Sequence, residues 1–330
     1  MKCKVCRDHA VVDIRRHNAA FCRDHFLEHI HNQVARTIRE FEMFEPEDRL
    51  LIAVSGGKDS LALWDILLDL GYDATGFYLD LGIGGYSTRS KDASVAFAAT
   101  RNAKLIVRSL DEEHGYTVPE LARLTGRVPC SGCGLNKRYE FNRAALEEGF
   151  EVLVTGHNLD DEVATLFGNV LHWNLDMLGR QSPVLEERAA EWRDESRIVL
   201  ARKVKPLVRI AERETAAYAI LKGIDYIVEE CPMVEGNTQH RYKEAVALLE
   251  ESSPGTKQQF YFGFLKKAGD HFSSTEPQAE VVACASCGAP TVVWDEAGSA
   301  EAVCSFCKTK ALAHRRKETG APPTRKRRRR

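Results

Sequence analysis

Apolar positions along the chain follow two alternating rhythms. Phe26, Ile30, Val34, Ile38 and Phe41 recur at three- and four-residue spacing, which predicts an amphipathic helix beyond residue 25. Short continuous apolar runs, RLLIAV, ATGFYL, KLIVRSL, EVLVTG and DYIVEE, predict buried strands, and helical patterns separate them. Leu61, Trp64, Leu67 and Leu68 mark one such helix, which Gly71 should end. Alternation of this kind predicts an α/β domain: a parallel sheet with helices on both faces. Residues 180 to 200 are charged and poorly periodic, so they read as a loop or short helical excursion. The polar stretch SSTEPQAE suits a linker. The expected division is a Cys/His-rich module over 1–28, the α/β domain with its linking helix over 29–275, a second cysteine module over 281–312, and a basic disordered tail over 313–330.

The chain has 330 residues and 44% hydrophobic content, enough for a sizeable core. It contains no run of 18 apolar residues, so no membrane contact is expected, and MKCKVCRDHA lacks the apolar centre of a signal peptide. A reducing cytoplasm is therefore expected. There, ten cysteines point to metal or catalytic roles rather than disulfides. Net charge is -2, but residues 315–330 hold nine basic side chains and one acidic, leaving -10 for the rest. An acidic body excludes a uniformly basic RNA-binding surface, so a nucleic acid would have to be bound by local patches. The RKRRRR end reads either as a solvated charge run or as a tail drawn to RNA phosphates.

Ser55-Gly56-Gly57-Lys58-Asp59-Ser60 follows an apolar strand and opens a helix. Glycines let the backbone approach a phosphate, and a helix N-terminus offers it unpaired N–H groups. Asp59 stands where a Walker A loop needs Ser or Thr, so this is a different phosphate loop. A second segment, Gly156-His157-Asn158-Leu159-Asp160-Asp161-Glu162, also joins a strand to a helix. In an open parallel sheet both loops can converge on one nucleotide. Asp160 also reads as a solvated helix cap.

Cys3-x2-Cys6 with Cys22-x2-His25 has the spacing of a four-ligand zinc site, with His9 as a competing ligand to the favoured His25. Cys284-x2-Cys287 with Cys304-x2-Cys307 has that of a zinc ribbon. Cys130, Cys133 and Cys231 remain. The first two lie in PCSGCG ahead of a helix containing Lys137, and the third ends the DYIVEE strand. Three thiolates suit an iron–sulfur cluster with one iron free of protein, and a redox dithiol plus an ordinary buried cysteine is the other reading.

SGGKDS resembles the signature of the PP-loop ATP pyrophosphatases, and GHNLDDE resembles a motif of their tRNA-thiolating branch. With the cysteine pattern, residues 1 to about 312 are similar to the two-zinc tRNA thiolation family. The resemblance implies ATP and Mg2+ at residues 55–60 and Gly156, with Ala53 and Leu79 lining the adenine pocket. It implies Lys58 on the leaving pyrophosphate, and Asp59, Lys137 and Asp161 in catalysis. Two Zn2+ ions would sit in the terminal modules, and a [4Fe-4S] cluster on Cys130, Cys133 and Cys231. The implied reaction adenylates the C2 oxygen of a tRNA uridine and replaces it with sulfur. The T-loop 5-methyluridine is the first choice of target, ahead of a wobble uridine and an anticodon-loop cytidine. A ubiquitin-like thiocarboxylated sulfur carrier and a homodimer are further implied. The rivals are a PP-loop adenylating ligase without a cluster and a silent RNA-binding adaptor.

Overall fold

The computed structural model describes residues 1–191, 197–234, 238–273, 280–293 and 302–320. At the N-terminus, β1 (Val12–Ile14) and β2 (Ala19–Phe21) pair antiparallel and lead into α1 (Arg23–Glu40). Its buried face is the predicted one: Phe26, Ile30, Val34 and Ile38. The central unit then runs β3 (Leu50–Val54), α2 (Lys58–Asp69), β4 (Ala74–Asp80), α3 (Gly84–Thr100) and β5 (Leu105–Ser109). Helices α4 (Leu110–His114), α5 (Val118–Thr125) and α6 (Pro129–Glu147) precede β6 (Val152–Thr155). After β6 come α7 (Leu159–Leu171), α8 (Leu175–Gly179), β7 (Val184–Leu185), β8 (Arg188–Glu191), β9 (Arg197–Leu200) and β10 (Arg202–Val204). Next are α9 (Glu212–Lys222), α10 (Thr238–Ser252), α11 (Thr256–Lys267) and α12 (Gly269–Ser273), and finally β11 (Glu280–Ala283), β12 (Pro290–Val293) and α13 (Ser305–Thr319).

The six-stranded sheet has the order β5-β4-β3-β6-β10-β7, parallel except for the antiparallel pair β10–β7. Strand order reverses between β3 and β6, so the crevice where such sheets bind ligands opens at the carboxyl ends of these two strands. Alternate strand residues feed two cores. Ile52, Val54, Val152, Val154 and Val204 pack with Ile30, Val34, Trp64 and Tyr218 on one face. Leu51, Phe77, Leu79 and Leu153 pack with Leu121, Ala144 and Ala313 on the other. Trp64 explains a glycine inside β4, because a Cβ on Gly76 would come within 2.5 Å of its ring.

Both terminal modules are tied to this unit. Arg16, beside the β1–β2 hairpin, makes a buried bidentate ion pair with Glu214 at the start of α9. At the other end, Phe306 stacks on Tyr139 of α6 at 3.7 Å between ring centroids. Arg316 donates to the Leu124 carbonyl at 2.7 Å.

Four expectations are corrected. Residues 180–200 contain strands, with β8 and β9 forming an antiparallel hairpin. DYIVEE forms no strand; its backbone runs irregularly against the phosphate loop, where Ile227 N–H donates to the Gly56 carbonyl at 2.9 Å. PCSGCG lies inside the first turns of α6 rather than ahead of a helix. The C-terminal module extends past 312, because α13 continues to Thr319 with Ala313 and Arg316 buried. Of the linker expected over 273–280 and the tail expected over 313–330, residues 274–279 and 321–330 lie outside the described residues.

Candidate active site and metal centres

The phosphate loop turns at Gly56, whose φ is +73° and where a Cβ would lie 2.4 Å from the Ser90 carbonyl oxygen. Glycine is required there on both counts. Ser60 Oγ accepts from Ser55 N–H at 3.1 Å and donates to the Gly57 carbonyl at 3.0 Å, which closes the loop upon itself. Gly57 caps α2 without a side-chain hydrogen bond. The first amides of α2 are thus left to an anion.

The second loop is pressed against the first. β6 runs beside β3 with Thr155 opposite Ala53. A Cβ on Gly156 would lie 3.1 Å from backbone atoms of Asp59 and Ser60. Asn158 and Asp161 cap α7 reciprocally, each accepting the other's backbone N–H at 3.1 Å. Asp160 is not a solvated cap: it is ion-paired to Lys257 and accepts Glu212 N–H at 2.7 Å. Asp161 is the more exposed of the two, with Lys243 Nζ 2.6 Å from its Oδ1. Gly168 makes this contact possible, because a Cβ there would meet the Tyr242 ring at 2.8 Å and push α10 off α7.

A line of alternating charges joins the two loops. Lys58 Nζ lies 3.1 Å from Asp59 and 2.8 Å from Glu212. Lys243 Nζ lies 2.9 Å from the other Glu212 oxygen. Burial raises the Glu212 pKa, but hydrogen bonds from Lys58 and Lys243 outweigh it and hold the carboxyl at about 2. Asp59 also accepts from Asn158 at 3.0 Å and from the Thr215 hydroxyl. Sequence reading missed Glu212, Thr215 and Lys243. Asn158 stood inside a quoted motif, but nothing local to α9 or α10 marks the others.

Ala53 and Leu79 lie one residue before the ends of adjacent strands, where Leu79 is buried and Ala53 packs against the same apolar cluster. Lys137, on α6, has no ion-pair partner among the described residues, and its charge acts on both Cys130 and His157. Protein packed around the ring, then the charge of Lys203, lowers the His157 pKa, although the residue keeps an exposed face. Lys203 itself is lowered to about 8 by burial, Lys205 and Arg138. This side of the cleft is rich in cations.

Cys130 and Cys133 lie on the first turns of α6, and Cys231 follows the irregular segment. Cys130 Sγ contacts the Met233 carbonyl at 3.6 Å. Burial and the charges of Cys133 and Cys231 raise the Cys130 thiol. The three sulfurs are neighbours but do not form a group within 4.8 Å, unlike the two terminal sets. A single tetrahedral zinc with Zn–S of about 2.3 Å needs sulfurs about 3.8 Å apart. The three are thus not gathered for one such ion, and three thiolates are the donor chemistry that an iron–sulfur cluster takes.

Cys3, Cys6, Cys22 and His25 bring their ligand atoms together, as do Cys284, Cys287, Cys304 and Cys307. Cys22 Sγ and His25 Nδ1 are 3.0 Å apart. His9 lies outside the group and bridges to Lys2 through its backbone.

A PP-loop domain model matches residues 27–246, and a model described as the 2-thiouridine synthetase TtuA N-terminal LIM domain matches residues 2–27. The tRNA-5-methyluridine(54) 2-sulfurtransferase of Thermus thermophilus is 48% identical over 96% of this chain and 93% of its own length. That of Pyrococcus horikoshii is 38% identical over 93% of each. The U34-tRNA thiolase NcsA from Methanococcus maripaludis, solved with its [4Fe-4S] cluster, superposes with a TM-score of 0.74 over 94% of this chain and 96% of its own. At 22% identity, that likeness bears on the fold. By its PP-loop core, its N-terminal module and the extent of these matches, the chain belongs to the TtuA-type family of PP-loop tRNA 2-thiouridine synthetases.

Proposed function

We propose that this protein is an ATP-dependent tRNA 2-sulfurtransferase acting on the 5-methyluridine at position 54 of the T-loop. The observation that carries this reading is the convergence, at the carboxyl ends of β3 and β6, of the Lys58–Asp59 loop with Asp161, flanked by Lys137 and the three-cysteine rim. The ATP phosphates would lie on the α2 N-terminus, with the adenine against Ala53 and Leu79. Asp59 and Asp161 would hold Mg2+, and Lys58 would balance charge on the β and γ phosphates. The uridine O2 attacks the α phosphorus, the bond to the β-phosphate oxygen breaks, and pyrophosphate leaves. Sulfur then takes the place of O2, which departs on AMP.

Cys130, Cys133 and Cys231 would hold the cluster. Its chemistry is an open iron site at which sulfur can be carried. Lys137, whose charge acts on both Cys130 and His157, would steady anionic charge. The terminal sets would each hold a structural Zn2+ that contributes folding energy. A ubiquitin-like thiocarboxylated protein as sulfur donor, and a homodimer, complete the reading. No helix among the described residues is long and apolar enough to cross a membrane.

Nucleoside mass spectrometry of tRNA from a deletion strain tests the assignment. Loss of 2-thio-5-methyluridine at position 54 is expected, and unchanged position 54 with loss at a wobble uridine would replace the target. The NcsA fold is the observation that favours that second target, although the relatives that match at 48% and 38% identity carry the position-54 name.

A further inference from the structure

Beside the phosphate loop lies a cleft of about 430 Å³ whose lining includes Arg15, Lys58, Asp160, Glu212 and Lys257. Glu212 and the phosphate-loop Lys58 both line it. The Glu212 backbone is fixed, since its N–H donates to Asp160 at 2.7 Å and Glu214 caps the same turn through Ala211 N–H at 2.9 Å. Its side chain is partly exposed, at 36%, and reaches back to two lysines. Oε1 accepts from Lys58 at 2.8 Å and Oε2 from Lys243 at 2.9 Å. Each lysine also touches one carboxylate of the loops, Asp59 at 3.1 Å and Asp161 at 2.6 Å.

A carboxylate spanning two ammonium groups fills the place that a phosphate group would need. A nucleotide whose phosphates reach the α2 N-terminus and Lys58 competes for the same donors. The two anions cannot share them, because like charges at that distance repel and each ammonium has few donors to spare. The reaction as read above has no other task for Glu212.

Resting on the reading that ATP is split to AMP and pyrophosphate, we propose that Glu212 is a built-in competitor of the leaving pyrophosphate. Before nucleotide enters, it neutralises Lys58 and Lys243. The β and γ phosphates of ATP displace it, and it turns toward the adjoining cleft with its backbone unmoved. Once the α–β bond is broken, Glu212 recaptures both lysines and loosens the product. The lysines thereby serve bond breaking without trapping pyrophosphate.

The test uses full-length holoenzyme with tRNA, ATP and Mg2+, and follows AMP formation. Inhibition constants for pyrophosphate and AMP are measured in wild type, Glu212→Gln and Glu212→Asp. In Glu212→Gln, pyrophosphate should inhibit about 3- to 10-fold more tightly, the scale of one or two partly exposed ion pairs, and KM for ATP should fall. AMP, which lacks the β and γ phosphates, should inhibit as before. Glu212→Asp, which keeps the charge, should lie between the two. Unchanged pyrophosphate inhibition in both variants overturns the proposal. Weaker pyrophosphate inhibition with a raised Mg2+ requirement also overturns it and makes Glu212 a metal ligand. If wild type forms neither AMP nor pyrophosphate, the reading of the reaction fails first and the proposal falls with it.

Discussion

Asn158 donates its side-chain amide to Asp59 Oδ1 across 3.0 Å, joining two loops 99 residues apart in sequence. The same Asn158 oxygen accepts the Asp161 N–H at 3.1 Å. One side chain thus sets the spacing of both carboxylates proposed to work on magnesium.

Asp59→Asn should cut AMP formation by roughly 100- to 1000-fold while leaving thermal stability close to wild type, the scale of losing one positioned charged group. Asn158→Ala should act in the same direction through misplacement of Asp59, with an additional stability loss of about 1 kcal/mol from the lost cap. AMP release with substrate tRNA and a thermal melt check both. Near-normal turnover in Asp59→Asn would remove it from the machinery.

Gly56→Ala should abolish ATP binding and lower the melting temperature. A methyl group there meets the Ser90 backbone at 2.4 Å, and φ of +73° is unfavourable for alanine. Backbone strain of this kind costs about 1–3 kcal/mol before the clash is counted. Gly71→Ala, with φ +88° and nothing within 4 Å of its Cβ, provides the strain-only control and should bind ATP normally.

Serine at Cys130, Cys133 or Cys231 should remove iron and sulfur transfer together yet leave part of the AMP formation. Protein purified without oxygen should carry about four irons per chain. Thiolation by an iron-free preparation would reject the cluster.

Loss of one terminal metal is expected in Cys22→Ser and in Cys304→Ser, with local unfolding of the affected module. Elemental analysis should read two zinc ions per wild-type chain and one in each variant. A wild-type value near zero would discard both centres.

Lys203→Met should stabilise the nucleotide-free protein at neutral pH. Burial and neighbouring cations lower the Lys203 pKa from 10.5 to about 8, so the folded state binds fewer protons than the unfolded state between those values. Wild-type stability therefore rises with pH through that window, and the cost of the partly desolvated charge is full below it, on the order of 3 kcal/mol. The variant's advantage should be largest below pH 8 and fade by about pH 10.5. A pH-independent difference would assign it to packing alone.

Much of the site was legible because its chemistry is local. The glycine turn of residues 55–60 and the apolar run Leu50–Val54 are properties of adjacent residues, and the structure realises both as strand, loop and helix. DYIVEE shows where local reading fails. Its β-branched and apolar residues match a strand, but no neighbouring strand pairs with it, and Ile227 instead holds the Gly56 carbonyl. The charged stretch before residue 200 fails in the opposite sense, because pairing between β8 and β9 supplies a ladder that periodicity does not announce.

Sequence alone determined the phosphate loop, the cysteine pairs and the α/β alternation, since each is encoded in residue spacing along a few turns or strands. Tertiary structure alone decided that Lys243 would meet Asp161 and that Glu212 would bridge Lys58 to Lys243. These contacts depend on α10 lying close against α7 at Gly168, and on α9 starting beside Asp160. Such long-range approaches are set by the packing of whole elements, and the lysine on α10 carries no local mark of the carboxylate it will face.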